Sequence, residues 1–384
     1  MFFFKYIYYT IFNIYIFKMK KVNDRILSLD ILRGITIIFM IIVNDPGSWS
    51  NVYSPLLHAS WNGVTPTDYI FPTFLFIVGV SIVFSINKQI QSGVSKTEIL
   101  KKVLWRSFKI YLVGLFLWLW PSFDFENIRW TGVLQRISLV FLFCALIYLY
   151  TEVRTQIFIG TGILLSYLVL MVFIPVPEIG VPDLSVPEKN WAHYIDNLYL
   201  PGVLWQKTWD PEGILTTFPS IVTGLLGILA GWILSSKDRL HDRIIKLFIF
   251  GFILLFLGDL FRFIFPLNKN LWSSSYTLLM GGVASLTLGF LLYVIDLKNI
   301  SKIFIMAKVF GVNAIFSYTL AGVLTVVFYG DFLWGFGLNT LYMEASTSIG
   351  ISAKLASLVY AILYVVIIWI PTYFLYKRKI FIKL

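Results

Sequence analysis

Charge is what this sequence has least of. Only 13% of its 384 residues are charged, against roughly 25% in an average soluble domain. Cysteine is nearly absent as well. The single Cys144 excludes a disulfide framework, and its place in an apolar run disfavours the reactive thiolate, so it reads as a core residue. Strict alternation of apolar and polar residues is missing too, which excludes a transmembrane β-barrel. What fills the chain is 58% hydrophobic and 18% aromatic residues, arranged in long continuous runs. A spanning helix needs about 20 mainly apolar residues, and lipid offers no partner to an open backbone. The fold class that follows is all-α: a polytopic membrane helical bundle of about ten transmembrane helices.

The ten predicted spans are Leu27–Asn44, Tyr69–Ile86, Val103–Trp120, Val133–Tyr150, Gln156–Ile174, Ile214–Leu234, Ile244–Ile264, Tyr276–Ile295, Ile303–Phe328 and Ala356–Tyr376. Lysine and arginine bias orients such a bundle. Lys88, Lys96, Lys101, Lys102 and Arg106 lie in one loop region, Lys237, Arg239, Arg243 and Lys246 in another, and Lys298, Lys302 and Lys308 in a third. With the tail Lys377, Arg378, Lys379 and Lys383, all fall on one side of ten alternating spans, which places both termini in the cytoplasm. The formal net charge of +11 thus has a topological reading, and no nucleic-acid partner is expected. The other side holds the Asn44–Asp68 loop, free of Lys and Arg, and the long loop from Pro175 to Gly213, whose Trp191, Tyr194, Tyr199 and Trp205 suggest an ordered cap. Residues 1–24 read as an N-terminal segment without a signal-peptide cleavage site. Met19, followed by Lys20, Lys21 and Arg25, is an alternative start, and residues 25–384 read as one transmembrane domain.

Few polar residues remain to carry chemistry. His58 lies in the Asn44–Asp68 loop, and imidazole is the natural proton acceptor near neutrality. Asn44, Asn62 and Asp68 are available to orient it or to bind substrate hydroxyls, although a histidine in a polar loop is also commonly just solvated. Trp49 and Trp61 fit interfacial anchors as well as sugar-stacking platforms. Asp30 and Arg33 share a helix face near the inner end of the first span. They are either functional or a pair that snorkels to the interface. Gln135 and Arg136 open the fourth span, Asp210 and Glu212 precede the sixth, and Asn268, Lys269, Trp272 and Ser274 precede or open the eighth. Asn313 sits inside the ninth. The acids before the sixth span also suit a helix N-terminus.

In order along the chain, Leu29-Asp30-Ile31-Leu32-Arg33-Gly34, the stretch from His58 to Phe71-Pro72, Gly132-Val133-Leu134-Gln135-Arg136, Asp210-Pro211-Glu212-Gly213-Ile214-Leu215, Asn268-Lys269 with Leu271-Trp272, Ser274-Ser275-Tyr276 and Gly311-Val312-Asn313-Ala314 resemble the heparan-α-glucosaminide N-acetyltransferase family of transmembrane acyltransferases, particularly its bacterial members. The similarity runs from Arg25 to Leu384. It departs from the lysosomal relatives, whose additional luminal domain and first helix have no counterpart in this sequence.

The resemblance implies an acetyl-CoA-dependent N-acetyltransferase in a bacterial cytoplasmic membrane, moving an acetyl group from cytoplasmic acetyl-CoA to a glucosamine-type amine on the far side. The family's histidine falls on His58 and its neighbouring asparagine on Asn44, so the expected catalytic set is His58, Asn44 and Asp68. His58 is either general base or acetyl-carrying nucleophile. Asp30, Arg33, Gln135, Arg136 and Asn313 are assigned to acetyl-CoA. Trp61, Asn62, Asp210, Glu212, Asn268, Lys269, Trp272 and Ser274 are assigned to the acceptor. The expected partners are acetyl-CoA, an amino-sugar or glycan acceptor and the lipid bilayer, with a homodimer as one mode of assembly; no metal is expected. An amino-sugar permease and an O-acyltransferase for a cell-surface glycan are the competing readings.

Overall fold

The computed structural model describes residues 26–331 and 333–382. Met19, its basic neighbours up to Arg25 and the tail residue Lys383 lie outside the described residues. The helices are α1 (Leu27–Asn44), α2 (Ile70–Gln91), α3 (Lys96–Leu119), α4 (Val133–Tyr150), α5 (Val153–Phe173), α6 (Trp191–Tyr199) and α7 (Ile214–Leu234). They continue with α8 (Leu240–Phe261), α9 (Ser274–Leu291), α10 (Ile305–Val312), α11 (Ala314–Phe328), α12 (Leu338–Ser348) and α13 (Ala353–Lys377). No strand forms among the described residues, and the chain is the all-α polytopic bundle expected.

Among the described residues, eight helices are long and apolar enough to cross a membrane, and nine if one bent pair counts as a single span. Two of the ten expected spans differ from a continuous apolar helix. The segment Ile303–Phe328 is broken at Asn313 into α10 and α11, bent by 75°. The segment Val103–Trp120 lies within α3, whose Lys96, Lys101, Lys102, Arg106 and Lys109 make it too charged to count on composition. Ser95 caps that helix, its side chain accepting the Glu98 N–H, so α3 begins in polar sequence and only its second half is apolar.

Helices in lipid gain little from hydrophobic burial against one another and associate through close packing at small residues. Two crossings show this. A methyl group at Gly79 of α2 would collide with the carbonyl of Gly224 in α7, and one at Gly227 with the carbonyl of Phe76. Likewise Gly34 of α1 abuts Ala307 of α10, and Gly311 abuts the Asp30 carbonyl. These contacts bring α1, α2, α7 and α10 backbone to backbone around the centre. Cys144 is fully buried there, its thiol directed at the Ile221 carbonyl at 3.4 Å.

The long loop before α7 is ordered, as its aromatics suggested. Asn190 caps α6 by accepting the His193 N–H, Trp191 Nε1 donates to the Ile174 carbonyl at 2.9 Å, and Asp196 accepts the Ile214 N–H at 2.8 Å. The cap is thereby tied to the first residue of α7.

Candidate active site

The loop from Asp45 to Thr65 returns the chain from the end of α1 to a short 3-10 turn, Pro66–Tyr69, that leads into α2. Thr65 and Asp68 form a reciprocal cap of that turn, a Thr-x-x-Asp pattern. This fixes Asp68 with its side chain 1% exposed. Its Oδ2 accepts the N–H groups of Thr65 at 2.9 Å and Ala59 at 3.1 Å, and the Thr65 hydroxyl at 3.1 Å. Its carbonyl accepts the Tyr276 hydroxyl at 2.6 Å. The remaining oxygen, Oδ1, lies 2.7 Å from His58 Nδ1.

A carboxylate can only accept, so Nδ1 carries the proton and Nε2 the lone pair. The His58 side chain is 48% exposed, which leaves Nε2 accessible. An imidazole held through Nδ1 by a buried carboxylate is the arrangement of a general base or nucleophile. Lys269 joins the pair, its Nζ 3.0 Å from each His58 ring nitrogen and 4.0 Å from Asp68 Oδ1. Burial holds the Lys269 ammonium below the usual lysine range, with Glu212 and Asp68 opposing that shift.

A second polar cluster flanks the first. Arg129 forks onto Asp210 through Nε and Nη2 at 2.7 and 2.6 Å, and Nη2 also reaches Glu212 at 2.7 Å. Burial pushes the Asp210 carboxyl up, but the Arg129 fork and the Thr131 hydroxyl outweigh it and hold the group below the usual carboxylate range. Removing one member of such a buried, hydrogen-bonded ion pair leaves the other uncompensated, so this cluster is a rigid wall. Arg136 is fully buried, stacks on Trp272 at 5.2 Å and donates to Thr216 and to the Gly213 carbonyl.

Most residues assigned to the acceptor build this frame. Asn268 donates to Asn62 Oδ1 at 3.0 Å, and both Trp61 Nε1 and Asn62 Nδ2 donate to the Leu184 carbonyl, which ties the His58 loop to the cap. Trp272 Nε1 donates to Thr223, and Ser274 to the Leu164 carbonyl. Asn44 is exposed, and its side chain forms no hydrogen bond among the described residues. Its neighbour Asp45 is the buried one, and burial raises that carboxyl to about 8.

At the other end of α1 lies a cavity of about 830 Å³, lined by Arg33, Lys88, Lys102, Arg106 and Lys109 with Asp30 as the acid. Arg33 donates to Asp30, to the Ser81 hydroxyl and to the Gly311 carbonyl. Of the five residues assigned to the cofactor, Asp30 and Arg33 line this cavity. Gln135 is buried beside Gly114, Arg136 lies in the frame, and the Asn313 carboxamide holds the C-terminal segment through the Ile380 carbonyl and the Ile382 N–H. Lys102 and Arg106 were legible as topological charge and Lys109 was not singled out; the i, i+4 and i, i+3 spacing of the three on one face of α3 was the available signal.

Farther along α1 lies a small apolar void of about 10 Å³, lined by residues that include Ile37, Met40, Phe74, Leu134, Ile137 and Tyr318. Phe74 and Ile137 also line the basic cavity. Along α1 the order is therefore Arg33 in the cavity, Ile37 and Met40 at the void, and Asn44 at the end that leads into the His58 loop. From Arg33 to Asn44 the helix rises about 16 Å.

Residues 25–265 match the family model described as heparan-alpha-glucosaminide N-acetyltransferase, catalytic. The human heparan-alpha-glucosaminide N-acetyltransferase is 30% identical over 96% of this chain, and the mouse protein of the same name is 30% identical over 94%. The chain spans 61% of the length of each of these relatives. The matched region contains the His58–Asp68 pair, the Arg129 cluster and the first wall of the basic cavity, and on that extent of agreement the chain belongs to the heparan-alpha-glucosaminide N-acetyltransferase family.

Proposed function

We propose that this protein is a transmembrane acetyltransferase that carries the acetyl group of acetyl-CoA to the amine of a glucosamine-type sugar. The observation that carries this reading is the His58–Asp68 pair, with Nε2 open, at one end of a bundle whose other end is a basic cavity. Five cations against Asp30 suit the phosphates of a coenzyme A thioester. The apolar lining of the void along α1 suits an uncharged arm reaching from that cavity toward His58. The lysine and arginine bias supports a cytoplasmic position for the cavity, where acetyl-CoA is made, and an outer position for the His58 loop.

In this scheme His58 Nε2 takes the proton of the acceptor amine as the amine nitrogen attacks the thioester carbonyl carbon. Collapse of the tetrahedral intermediate breaks the carbon–sulfur bond. The coenzyme A sulfur leaves with the proton held on Nε2, so atoms and charge balance. Asp68 keeps the ring oriented and stabilises the imidazolium while it exists.

The test is reconstitution in oriented vesicles with labelled acetyl-CoA supplied to one compartment and a panel of amino and neutral sugars to the other. The expected result is N-acetylated sugar on the His58 side and free coenzyme A on the cavity side. Label found only on hydroxyls would make the protein an O-acyltransferase. Sugar crossing unmodified would make it a permease. A requirement for both substrates on one face would overturn the transmembrane route.

A further inference from the structure

His58 and Asp68 account for proton transfer, but the thioester oxygen also acquires negative charge as the tetrahedral intermediate forms, and a low-dielectric site must meet it with an oriented donor. Several donors around His58 are already engaged. The Ala59 and Thr65 N–H groups point at Asp68 Oδ2, the Gly63 N–H at the Leu267 carbonyl, and the Asn62 amide at the Leu184 carbonyl.

Lys269 is placed differently. Its Nζ is 3.0 Å from both Nδ1 and Nε2. A point equidistant from the two nitrogens lies on the plane that bisects them through Cε1. Within the ring plane it would run into Cε1 and its hydrogen, so the ammonium sits over the ring face, off both lone-pair axes. It therefore leaves the Nε2 lone pair free while standing beside it. The side chain is 15% exposed, and its Nζ contacts both members of the pair, 211 residues away for His58. The turn that presents it is rigid: Asn268 accepts the Leu271 N–H at 2.8 Å, its own N–H donates to Ser273, and Gly63 pairs with Asn268 across the two loops.

From this geometry we infer that Lys269 is a third catalytic residue, whose ammonium stabilises the oxyanion formed when the acceptor attacks the thioester beside His58 Nε2. The inference rests on the proposed acetyl transfer and assigns Lys269 to the reacting carbonyl rather than to the sugar. In this role the side chain acts as an ammonium, which Glu212 and Asp68 favour against the effect of burial, and it transfers no proton. It neutralises the oxygen's charge as the carbon–nitrogen bond forms and gives it up when the carbonyl is restored and the thiolate leaves.

The experiment compares the purified full chain with K269M, K269R and H58A in labelled acetyl transfer. Acetyl-CoA binding and thermal unfolding are measured on each, and activity is resolved into kcat and KM for both substrates. K269M is expected to lose on the order of 10²–10³-fold in kcat with both KM values within about threefold of wild type. K269R keeps a cation but cannot act as a base, and is expected to recover at least tenfold of that loss. A K269M defect confined to the acceptor KM would overturn the inference in favour of sugar binding. A K269R as inactive as K269M would overturn it in favour of a deprotonated lysine. If H58A turns over normally, the acetyl-transfer scheme itself fails, and that outcome is distinct from either Lys269 result. A K269M that fails to fold is replaced by K269Q, to which the same criteria apply.

Discussion

Replacing Asp68 by Asn isolates the role of the carboxylate, because the surroundings decide which way the new amide must point. Asp68 Oδ2 accepts two backbone N–H groups, at 2.9 and 3.1 Å, and Oδ1 faces His58 Nδ1 at 2.7 Å. An Asn oxygen facing Thr65 and Ala59 keeps both backbone bonds and directs the amide NH₂ at Nδ1. The opposite orientation sets NH₂ against two N–H donors and leaves both unsatisfied in a buried site, at about 1–3 kcal/mol each. The first orientation therefore prevails by about 2–6 kcal/mol. With a donor now facing it, Nδ1 must hold the lone pair and Nε2 the proton, so the atom that faces the substrate can no longer accept one. The same inversion in a serine-protease triad lowers kcat by about 10⁴. The D68N protein is thus expected to fold, to bind acetyl-CoA normally and to lose roughly 10³–10⁴-fold in kcat. Steady-state acetyl transfer measures the loss, and nitrogen NMR of histidine-labelled protein locates the proton. A folded D68N with kcat within tenfold of wild type would refute the tautomer argument.

Three further outcomes follow from the geometry. Arg33→Ala should weaken acetyl-CoA binding by about 1.5–3 kcal/mol, the worth of a hydrogen bond to a charged group. An unchanged dissociation constant in calorimetry would reduce Arg33 to a tie among Asp30, Ser81 and Gly311. Asp196 in the cap has its carboxyl raised by burial to about 7, above the unfolded value near 3.9. The folded state therefore binds more protons between those values, and wild type loses stability as pH rises from about 4 to 7, by at most about 4 kcal/mol. Asp196→Asn removes that titration, so its melting temperature minus that of wild type should grow from pH 5 to pH 8; a difference independent of pH would contradict the burial. Gly311→Ala forces a methyl into the Asp30 carbonyl and should cost about 1–3 kcal/mol, read as a lower unfolding midpoint in detergent, whereas wild-type stability would mean that α1 and α10 separate freely.

The sequence by itself determined the bundle, because lipid makes one local demand: a continuous apolar run long enough to satisfy its own backbone. Leu27–Asn44, Val133–Tyr150 and Ile214–Leu234 were legible to the residue for that reason. The break at Asn313 was not, since Ile303–Phe328 is apolar enough to read as one span despite Lys308 and Asn313, and Asn313 is held by the distant backbone of Ile380 and Ile382. His58 stood out as an imidazole in a charge-poor loop, but Asn44, Asn62 and Asp68 were equal candidates to orient it. Only the Thr65–Asp68 cap, which buries one carboxylate and aims its free oxygen, chose Asp68. Lys102 and Arg106 carried a topological meaning in sequence, and only the placement of α3 across a cavity from α1, α2 and α10 lines them, with Lys109, along one wall. Lys269 and His58 meet across 211 residues. Their distance depends on how helices cross, and the crossings are set by close backbone approaches such as Gly34 on Ala307 and Gly227 on Phe76, which no local pattern of hydropathy or charge encodes.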